Sequence, residues 1–502
     1  MTHYARWPRR AVVDIGSNSV RLVIVSGPPR VPITITNEKV LCGLGDRDEA
    51  TGALREEAVA RALATLKRFK LIIDEEDLSS LDVFATAAVR DAPNGSAFLT
   101  SARNVGFDPR LLSGEEEARL AGLGILCSAP EILRSGVPAI GGDLGGGSLE
   151  LSLLGGVQGD VTETVSLPIG SLRMLTMYKG NLDAVAADVR ERFSALQWLS
   201  ECAATSLYIV GGSWRALARI AMAREGHPVA ILDHYTLSAD QMYEICRDVE
   251  TADPETLAKI DGVQKKRVPT LPSAAVVLRH LIEQTKVSRI VVSSCGVREG
   301  LLFDRLTEEE RQEEPLVALT ADMAERCGAG RAPSPAATMA FLAPLFQDDG
   351  SIVHLQCAAA QLVRVANTAH PDQRARFAAG LIMASPFLGI DHLERTMLAL
   401  ILLIRYGGSP SKDGRHIPVK ILSDRERDLA VKTGFALRLA SSLRLPLYKT
   451  QSGLRFSSVD EEIVLKAIPE VADLVSESVL KDLDKLAEAF DVVGRVSYEA
   501  GV

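Results

Sequence analysis

Short apolar runs alternate with longer amphipathic stretches through the first part of the chain. Apolar runs bounded by Gly, Asn or Asp predict buried strands at residues 11–16, 20–25, 33–40 and 82–87. Helical periodicity predicts helices at residues 54–73 and 115–126. Ser113 precedes the second helix and three glutamates occupy its first turn, which is typical of a capped helix start.

The same strand pattern then starts again. Residues 137–143, 149–153, 206–210 and 289–293 are further strand-like runs, and a helix follows Gly296. In both series the first strand ends in an Asp-x-Gly turn, at Asp14 and at Asp143. This repetition predicts an internal duplication, in which two related α/β domains face each other.

The pattern changes after about residue 313. Residues 328–335 resemble a linker, residues 336–406 are helical in pattern, and the tail adds strand-like runs at 453–457 and 492–497. We therefore predict three domains: 1–128, to which 299–312 is a candidate addition, then 129–298, and a helical domain with a small α+β appendix at 313–502.

Composition narrows the class of protein. A net charge of −9 argues against a general nucleic-acid binder, and the apolar runs are too short or too interrupted for a signal sequence or membrane span. The seven cysteines form no Cys-x-x-Cys pair. This favours a reducing cytoplasm and small buried side chains over zinc sites or disulfides.

One segment has the opposite charge. Between Arg405 and Arg455 there are eleven Lys and Arg residues and only four acidic residues. Such a surface suits a polyanion, although scattered cations on solvated helix faces give the same pattern. Arg438, Arg444 and Lys449 are the candidates for guiding such a ligand.

Two glycine loops carry the first chemical signal. Residues 14–19 (DIGSNS) and 143–148 (DLGGGS) each follow an apolar strand that ends in Asp. Backbone amides and hydroxyls in such turns cradle phosphate. The predicted phosphate-binding residues are Asp14, Gly16, Ser17, Asn18, Ser19, Gly145, Gly146, Gly147 and Ser148. Asp143 and Glu150 offer carboxylate oxygens suited to Mg²⁺ or another divalent cation.

The paired loops resemble the actin, sugar-kinase and heat-shock ATPase superfold. Residues 14–22, 85–94 (ATAAVRDAPN), 113–119 (SGEEEAR) and 145–151 resemble, in that order, the exopolyphosphatase/guanosine pentaphosphate phosphohydrolase family. The resemblance implies duplicated actin-like (ribonuclease H-like) domains with a cleft between them, a metal-dependent hydrolase of terminal phosphates, and a homodimer.

The resemblance also implies roles for two residues. The family's catalytic glutamate falls on Glu117 and its arginine on Arg90. A carboxylate can orient and deprotonate an attacking water, and a nearby cation stabilises charge on the transferred phosphoryl group. Spacing alone leaves Glu115 and Glu116 as alternatives to Glu117.

Two further segments correspond to known features of related folds. Residues 211–213 (GGS) stand where sugar kinases and ATPases bind adenosine, but a plain strand–helix turn is an equal interpretation. The helical C-terminal domain of long family members resembles His-Asp phosphohydrolases. Here Ala384 and Ser385 replace the His-Asp pair, so we expect a degenerate domain without a second active site, whose role is binding or architectural.

The leading hypothesis is an exopolyphosphatase acting on inorganic polyphosphate. A guanosine pentaphosphate phosphatase is the nearest rival. Two less favoured hypotheses are a kinase of the same superfold and a non-catalytic sensor of polyphosphate or alarmone. The predicted location is the cytoplasm, without nucleic-acid or membrane partners.

Overall fold

The computed structural model of the chain describes residues 7–156, 160–327, 335–346, 351–443, 454–459 and 462–498. It divides into two compact units, Met1–Glu313 and Glu314–Val502. Among the described residues, no helix is both long and apolar enough to cross a bilayer. The predicted division of the first unit at residue 128 stays a prediction.

The first unit is built from two sheets and the helices that cover them. Its strands are β1 Arg9–Ile15, β2 Ser19–Ser26, β3 Ile33–Leu41, β4 Leu78–Ala85, β5 Arg110–Leu111, β6 Ala139–Leu144, β7 Leu149–Leu154, β8 Val161–Leu167, β9 Ser206–Val210, β10 Thr236–Ser238 and β11 Arg289–Val292. Its helices are α1 Glu56–Asp74, α2 Ala87–Arg90, α3 Gly95–Asn104, α4 Gly114–Ser128, α5 Glu131–Ser135, α6 Ser171–Tyr178, α7 Leu182–Ser194, α8 Gln197–Glu201, α9 Gly212–Glu225, α10 Ala239–Thr251, α11 Pro254–Leu257, α12 Leu271–Thr285, α13 Val297–Asp304 and α14 Glu308–Gln312. A 3-10 helix spans Lys265–Thr270.

The two sheets have matching strand orders. The first runs β3-β2-β1-β4-β5 and the second β10-β11-β9-β6-β7-β8. In each sheet an antiparallel three-strand meander comes first, and two later strands, β4 and β5 or β9 and β11, add in parallel on the side of its first strand. The second sheet has one more strand, β10, which pairs antiparallel with β11 at the edge. Because both sheets repeat this order, the loops after β1 and β6 occupy equivalent places. The predicted duplicated α/β architecture is confirmed.

Each sheet has its own apolar core. Leu22, Ile24 and Phe69 are among the buried side chains of the first core, and Ile209, Trp214 and Leu278 are among those of the second. Strand β2 of the first sheet and β9 of the second are buried on both faces along most of their length, as expected for central strands covered by helices.

Helices α4 and α13 pack with almost no space between their backbones. A Cβ on Gly300 would lie 1.8 Å from the Leu120 carbonyl oxygen, and one on Gly124 would lie 2.2 Å from the Gly296 carbonyl oxygen. Any side chain at these glycines would force the helices apart. Since α4 begins near Glu117 and α13 begins near Arg298, this close packing fixes two cleft-lining segments relative to each other.

The second unit is mainly helical. Its helices are α15 Pro315–Cys327, α16 Pro335–Leu342, α17 Val353–Gln361, α18 Arg374–Ala384, α19 His392–Arg405, α20 Pro410–Asp413, α21 Asp424–Ser442 and α22 Glu477–Ala489. Short 3-10 helices lie at Ala343–Leu345, Leu362–Arg364, Pro371–Gln373, Gly414–His416, Val419–Ile421 and Pro469–Leu474. Strands β12 Leu454–Val459, β13 Glu462–Ala467 and β14 Val493–Tyr498 form a small sheet in that order.

Most predicted elements lie within a few residues of the observed ones. The predicted strand at 82–87 instead ends at Ala85, because α2 begins at Ala87. Strands β5, β8, β10 and β13 were not predicted. The predicted linker at 328–335 lies outside the described residues except for Pro335, which begins α16. The likeness of the helical unit to His-Asp phosphohydrolases stays a prediction.

Candidate active site

A cleft of about 280 Å³ lies where the two glycine loops of the first unit meet. Its lining includes residues 16–19 after β1 and residues 144–148 after β6. A Cβ on Gly146 would lie 3.4 Å from the Ser17 Cβ, and one on Gly147 would lie 3.1 Å from the Ser17 Oγ. The two loops, which are far apart in sequence, therefore face each other across a few ångströms.

Backbone hydrogen bonds fix the shape of each loop. In the first, the Gly16 amide donates to the Ser19 carbonyl at 3.1 Å, and the Gly45 amide donates to the Ser17 carbonyl at 2.7 Å. In the second, the Gly145 amide donates to the Ser148 carbonyl at 3.0 Å, and Ser171 at the start of α6 donates its amide to the Gly145 carbonyl. The backbone itself thus defines the shape of both loops, and successive amides in such turns form concavities that bind anions.

Glu117 is the glutamate of its cluster that reaches the cleft. Its side chain is buried and lines the cavity, whereas Glu115 is exposed and Glu116 pairs with Arg110 at 3.1 Å. Ser113 caps α4 as predicted, accepting the Glu116 amide. The position of Glu117 at the start of α4 thus separates it from the two glutamates that spacing alone could not exclude.

Arg90 lies against Glu117. Its Nη1 donates to the Glu117 Oε2 at 3.1 Å and to the Leu112 carbonyl at 3.1 Å. The structure therefore brings together the two residues that the 85–94 and 113–119 segments singled out. A carboxylate and a guanidinium in contact at the edge of a phosphate-sized cleft can serve a water and a phosphoryl group respectively.

Asp143 and Glu150 face each other across the β6–β7 hairpin. They are direct cross-strand partners, so their side chains share one face of the sheet. Glu150 is 3% exposed and its Oε1 accepts a hydrogen bond from the Ser166 Oγ at 2.8 Å. Two carboxylates are thereby held next to Glu117 in the interior of the unit.

Burial makes the charged forms of these carboxylates costly. It raises the pKa of Asp143 to about 6 and that of Glu150 to about 7, although the Ser148 hydrogen bond lowers the latter. Burial also raises the pKa of Glu117 well above its usual range; Glu150 raises it further and Arg90 opposes the rise. Clustered carboxyl groups with raised pKa values in a cleft are typical of catalytic sites and of sites that receive a cation.

Comparison with known proteins identifies the family. The sequence model of the Ppx/GppA phosphatase family matches residues 10–309, more than half of the chain. The chain belongs to the Ppx/GppA phosphatase family. A second model, for the exopolyphosphatase C-terminal region, matches residues 347–494.

Individual relatives are distant. The chain is 27% identical over 320 residues to exopolyphosphatase 1 of Mycobacterium tuberculosis, covering 60% of this chain and 89% of that protein. It is 24% identical over 443 residues to retrograde regulation protein 2 of Saccharomyces cerevisiae, covering 79% and 72% respectively. The crystal structure of an exopolyphosphatase from Cytophaga hutchinsonii shares the fold with a TM-score of 0.53 at 24% identity, over 60% of this chain and 99% of that one.

These relationships confirm the resemblance drawn from the four motifs and the actin-like fold class. Membership of the Ppx/GppA phosphatase family, with exopolyphosphatases among the relatives, identifies the protein as a phosphoanhydride hydrolase. The roles of individual residues stay predictions, which the geometry of the site supports.

The carboxylates fit the divalent cation that the Ppx/GppA family implies. In the described part of the chain, no three His, Cys, Asp or Glu side chains form a preformed metal cage. Mg²⁺ does not need one, because it usually binds one or two carboxylates and takes its remaining ligands from water and substrate phosphates. Asp143 and Glu150 supply such oxygens, and a cation beside them would offset the cost of burying their charges.

A wall of cations on one side of the cleft was not predicted. It consists of Arg21, Lys39, Arg215, Lys266, Arg267 and Arg298. Burial and the neighbouring guanidinium of Arg267 lower the pKa of Lys39 to about 8. Arg298 is balanced in part by Asp14, at 3.7 Å. The sequence signals were the Arg21 inside the first motif and the Lys-Lys-Arg run at 265–267.

The glycine turn at residues 211–213 also lines the cleft. Gly211, Gly212 and Ser213 line the cavity between β9 and α9. Gly211 has a φ of +97°, in the region that favours glycine. Trp214 is fully buried and donates its indole N–H to the Ala274 carbonyl at 3.1 Å, so it is not available as a platform for a base.

The predicted guiding residues lie in the second unit. Arg438 pairs through Nε with Asp482 at 2.8 Å, and the Ser442 hydroxyl donates to the same carboxylate at 2.6 Å. Arg444 and Lys449 lie outside the described residues. The guiding role of these three residues stays a prediction.

Proposed function

We propose that this protein is an exopolyphosphatase, which removes terminal phosphate groups from inorganic polyphosphate. The observation that carries the proposal is the position of Glu117. It is a buried carboxylate in contact with Arg90, at a cleft formed by two facing phosphate loops and walled by six cations. That combination provides a base, a charge-stabilising group and a binding surface for a polyanion.

The proposed reaction is attack of water on the terminal phosphorus. Glu117 orients the water and accepts its proton, and its raised pKa makes it a stronger base than a solvent-exposed glutamate. Arg90 stabilises the negative charge that spreads over the transferred phosphoryl oxygens. The amides and hydroxyls of residues 16–19 and 145–148 hold the phosphates in place so that the water approaches in line.

Asp143 and Glu150 are the proposed holders of the divalent cation, with Mg²⁺ the expected metal. A cation bound there would neutralise phosphate charge. Ser166 supports this role, since its hydrogen bond fixes one oxygen of Glu150.

The cleft favours polyphosphate over guanosine pentaphosphate. Cationic side chains and backbone groups make up much of the lining of the cleft. Phe84, the one aromatic side chain among the described lining residues, is only 2% exposed. A nucleobase gains affinity chiefly by stacking on an exposed ring, which this cavity does not offer. Polyphosphate needs only repeated cation contacts, whose strength depends on salt by analogy with nucleic acids.

The deciding experiment measures phosphate release with Mg²⁺ from long-chain polyphosphate and from guanosine pentaphosphate in parallel. We expect faster release from polyphosphate, and loss of release from both in Glu117→Gln. Faster release from the nucleotide would assign the rival activity to the same residues.

Binding without release would indicate a sensor, and transfer from ATP to an acceptor would indicate a kinase. The expected homodimer and the cytoplasmic location are also proposals; light scattering on the purified chain tests the first. The division of the first unit into actin-like domains at 1–128 and 129–298 is a further proposal, which limited proteolysis tests.

A further inference from the structure

A buried charged cluster lies behind one wall of the cleft and takes no part in the proposed reaction. It is centred on Asp233 and His234, which lie just before β10 at the edge of the second sheet, separated from it by Tyr235. The His234 amide donates to the Val292 carbonyl at 2.8 Å, and the Val292 amide donates to the Tyr235 carbonyl at 3.0 Å. The cluster is thereby attached to the carboxyl end of β11, where the chain turns into the cleft.

The imidazole of His234 lies between two carboxylates. Its Nδ1 is 3.1 Å from the Asp233 Oδ2 and its Nε2 is 3.4 Å from the Glu131 Oε1 at the start of α5. Glu131 also accepts the Tyr208 hydroxyl at 3.0 Å. His234 is 5% exposed and has a φ of +56°, a left-handed conformation that non-glycine residues rarely adopt.

The charges in this cluster stabilise one another. Burial alone would lower the pKa of His234, but the ion pairs with Asp233 and Glu131 raise it well above its usual range. Burial tends to raise the pKa values of Asp233 and Glu131, and the imidazolium outweighs it and lowers both. Other titratable neighbours of the cluster include Tyr208, Arg289 and Cys295.

Asp233 connects the cluster to the cleft. Its Oδ1 accepts the Ser294 amide at 2.7 Å, and Ser294 lines the cavity. Two residues later, a Cβ on Gly296 would lie 3.2 Å from the Asp143 Oδ2. Arg298, at the start of α13, lies 3.7 Å from Asp14. The segment from Ser294 to Arg298 therefore contacts the leading carboxylates of both phosphate loops.

We propose that Asp233, held by His234, is a positioning residue that fixes the 294–298 segment against Asp14 and Asp143. The inference rests on the proposed hydrolytic function of that cleft. It assigns a residue outside the cavity to the alignment of the two loops. This role depends on the positive charge of His234. If the imidazole were neutral, Asp233 and Glu131 would be two buried anions that repel each other.

The first test changes the charge of the cluster at Glu131, the carboxylate that lies on the opposite side of His234 from Asp233. Glu131→Gln removes one anion from His234 without touching Asp233 or the cleft, so the pKa of His234 should fall by about one unit or more. NMR titration of the His234 ring, assigned with His234→Asn, measures this directly. The alkaline limb of kcat for polyphosphate should move to lower pH by the same amount. A limb that stays in place while the pKa of His234 moves would overturn the proposal, as would an unmoved His234 pKa.

A second test adds a readout that does not depend on turnover. His234→Asn retains a residue that tolerates the left-handed backbone but removes the cation. We expect faster amide hydrogen exchange in residues 293–298 and a loss of kcat of about tenfold with KM nearly unchanged. The control is Glu225→Gln, whose carboxylate accepts the Tyr235 hydroxyl at 2.9 Å and has no contact with His234.

The two proposals fail in different ways. Unchanged exchange in residues 293–298 of His234→Asn would overturn the positioning role even if the wild-type enzyme hydrolyses polyphosphate. Faster exchange in a protein that releases no phosphate would leave the positioning contact established and would instead reject the proposed function.

Discussion

Arg173 and Asp91 form an ion pair of 2.7 Å between α6, next to the second phosphate loop, and the end of α2. The Asp91 carboxylate also lies 3.3 Å from the Arg90 Nε and 3.9 Å from Arg47. One acidic side chain thus contacts three guanidinium groups, of which Arg90 also contacts Glu117. Because Arg90 ends α2 and Arg173 lies in α6, beside the second phosphate loop, Asp91 links the alignment of these two segments.

Asp91→Asn should separate catalysis from binding. Without the carboxylate, Arg90 is held less firmly, and kcat should fall about tenfold. The three cations lose their counter-charge, so polyphosphate should bind as well or better and KM should not rise. Steady-state kinetics measures both constants; Asp188→Asn, which removes the partner of Arg192 on α7, is the control. A raised KM with unchanged kcat would contradict this role.

Glu117→Gln tests the proposed base against its neighbours. General-base removal typically costs 10²–10⁴-fold in rate, and kcat should fall by about that factor. Glu116→Gln is the matched control, because Glu116 precedes it on the same helix but pairs with Arg110. Its kcat should stay within about twofold of the wild-type value. Equal losses in both variants would show that the helix start, rather than one carboxylate, is required.

Glu150→Gln should stabilise the metal-free protein at high pH. Burial raises the pKa of Glu150 from 4.5 to about 7, so the folded state binds its proton more tightly than the unfolded state. Stability that this group contributes is present below about 4.5 and is lost as the pH rises to about 7. Thermal unfolding at pH 8 should show a gain on the order of 3 kcal/mol for the variant, which vanishes near pH 4.

Mg²⁺ provides the complementary measurement. It should raise the melting temperature of the wild-type protein at pH 8, because a bound cation offsets the repulsion among the buried carboxylates, and it should raise that of Glu150→Gln much less. Glu163→Gln, an exposed position on β8, should respond like the wild type. An equal response in all three proteins would place the metal elsewhere.

The parts of the site that are formed by residues adjacent in sequence could be predicted from the sequence. Each phosphate loop is a strand–turn–strand unit whose glycines, hydroxyls and leading Asp are contiguous, so residues 14–19 and 143–148 could be identified without knowing the fold. Ser113 could be identified as a cap for the same reason. The choice of Glu117 over Glu115 and Glu116 needed the family resemblance, since all three lie in one helical turn.

The parts that depend on long-range packing were missed. Lys39 is an ordinary residue of β3 in sequence, and its place in the cationic wall follows only from the approach of Arg267, 228 positions later. Asp233 and His234 likewise acquire their roles from the pairing of β10 with β11. Arg438 illustrates the reverse case, because a cation that stands out in a basic segment pairs with Asp482.

Lys39 should make polyphosphate binding depend on pH. Its pKa is lowered to about 8, so it is charged below that pH and neutral above it. KM for polyphosphate should therefore rise as the pH passes through about 8. The pH dependence of kcat is set by other groups and should not follow Lys39. Lys39→Arg keeps the charge at all these pH values and should remove the rise, whereas Lys39→Met should show the high KM throughout. If all three proteins have the same KM profile, the charge of Lys39 does not contribute to binding, and the affinity must come from the other cations of the wall, Arg21, Arg215, Lys266, Arg267 and Arg298.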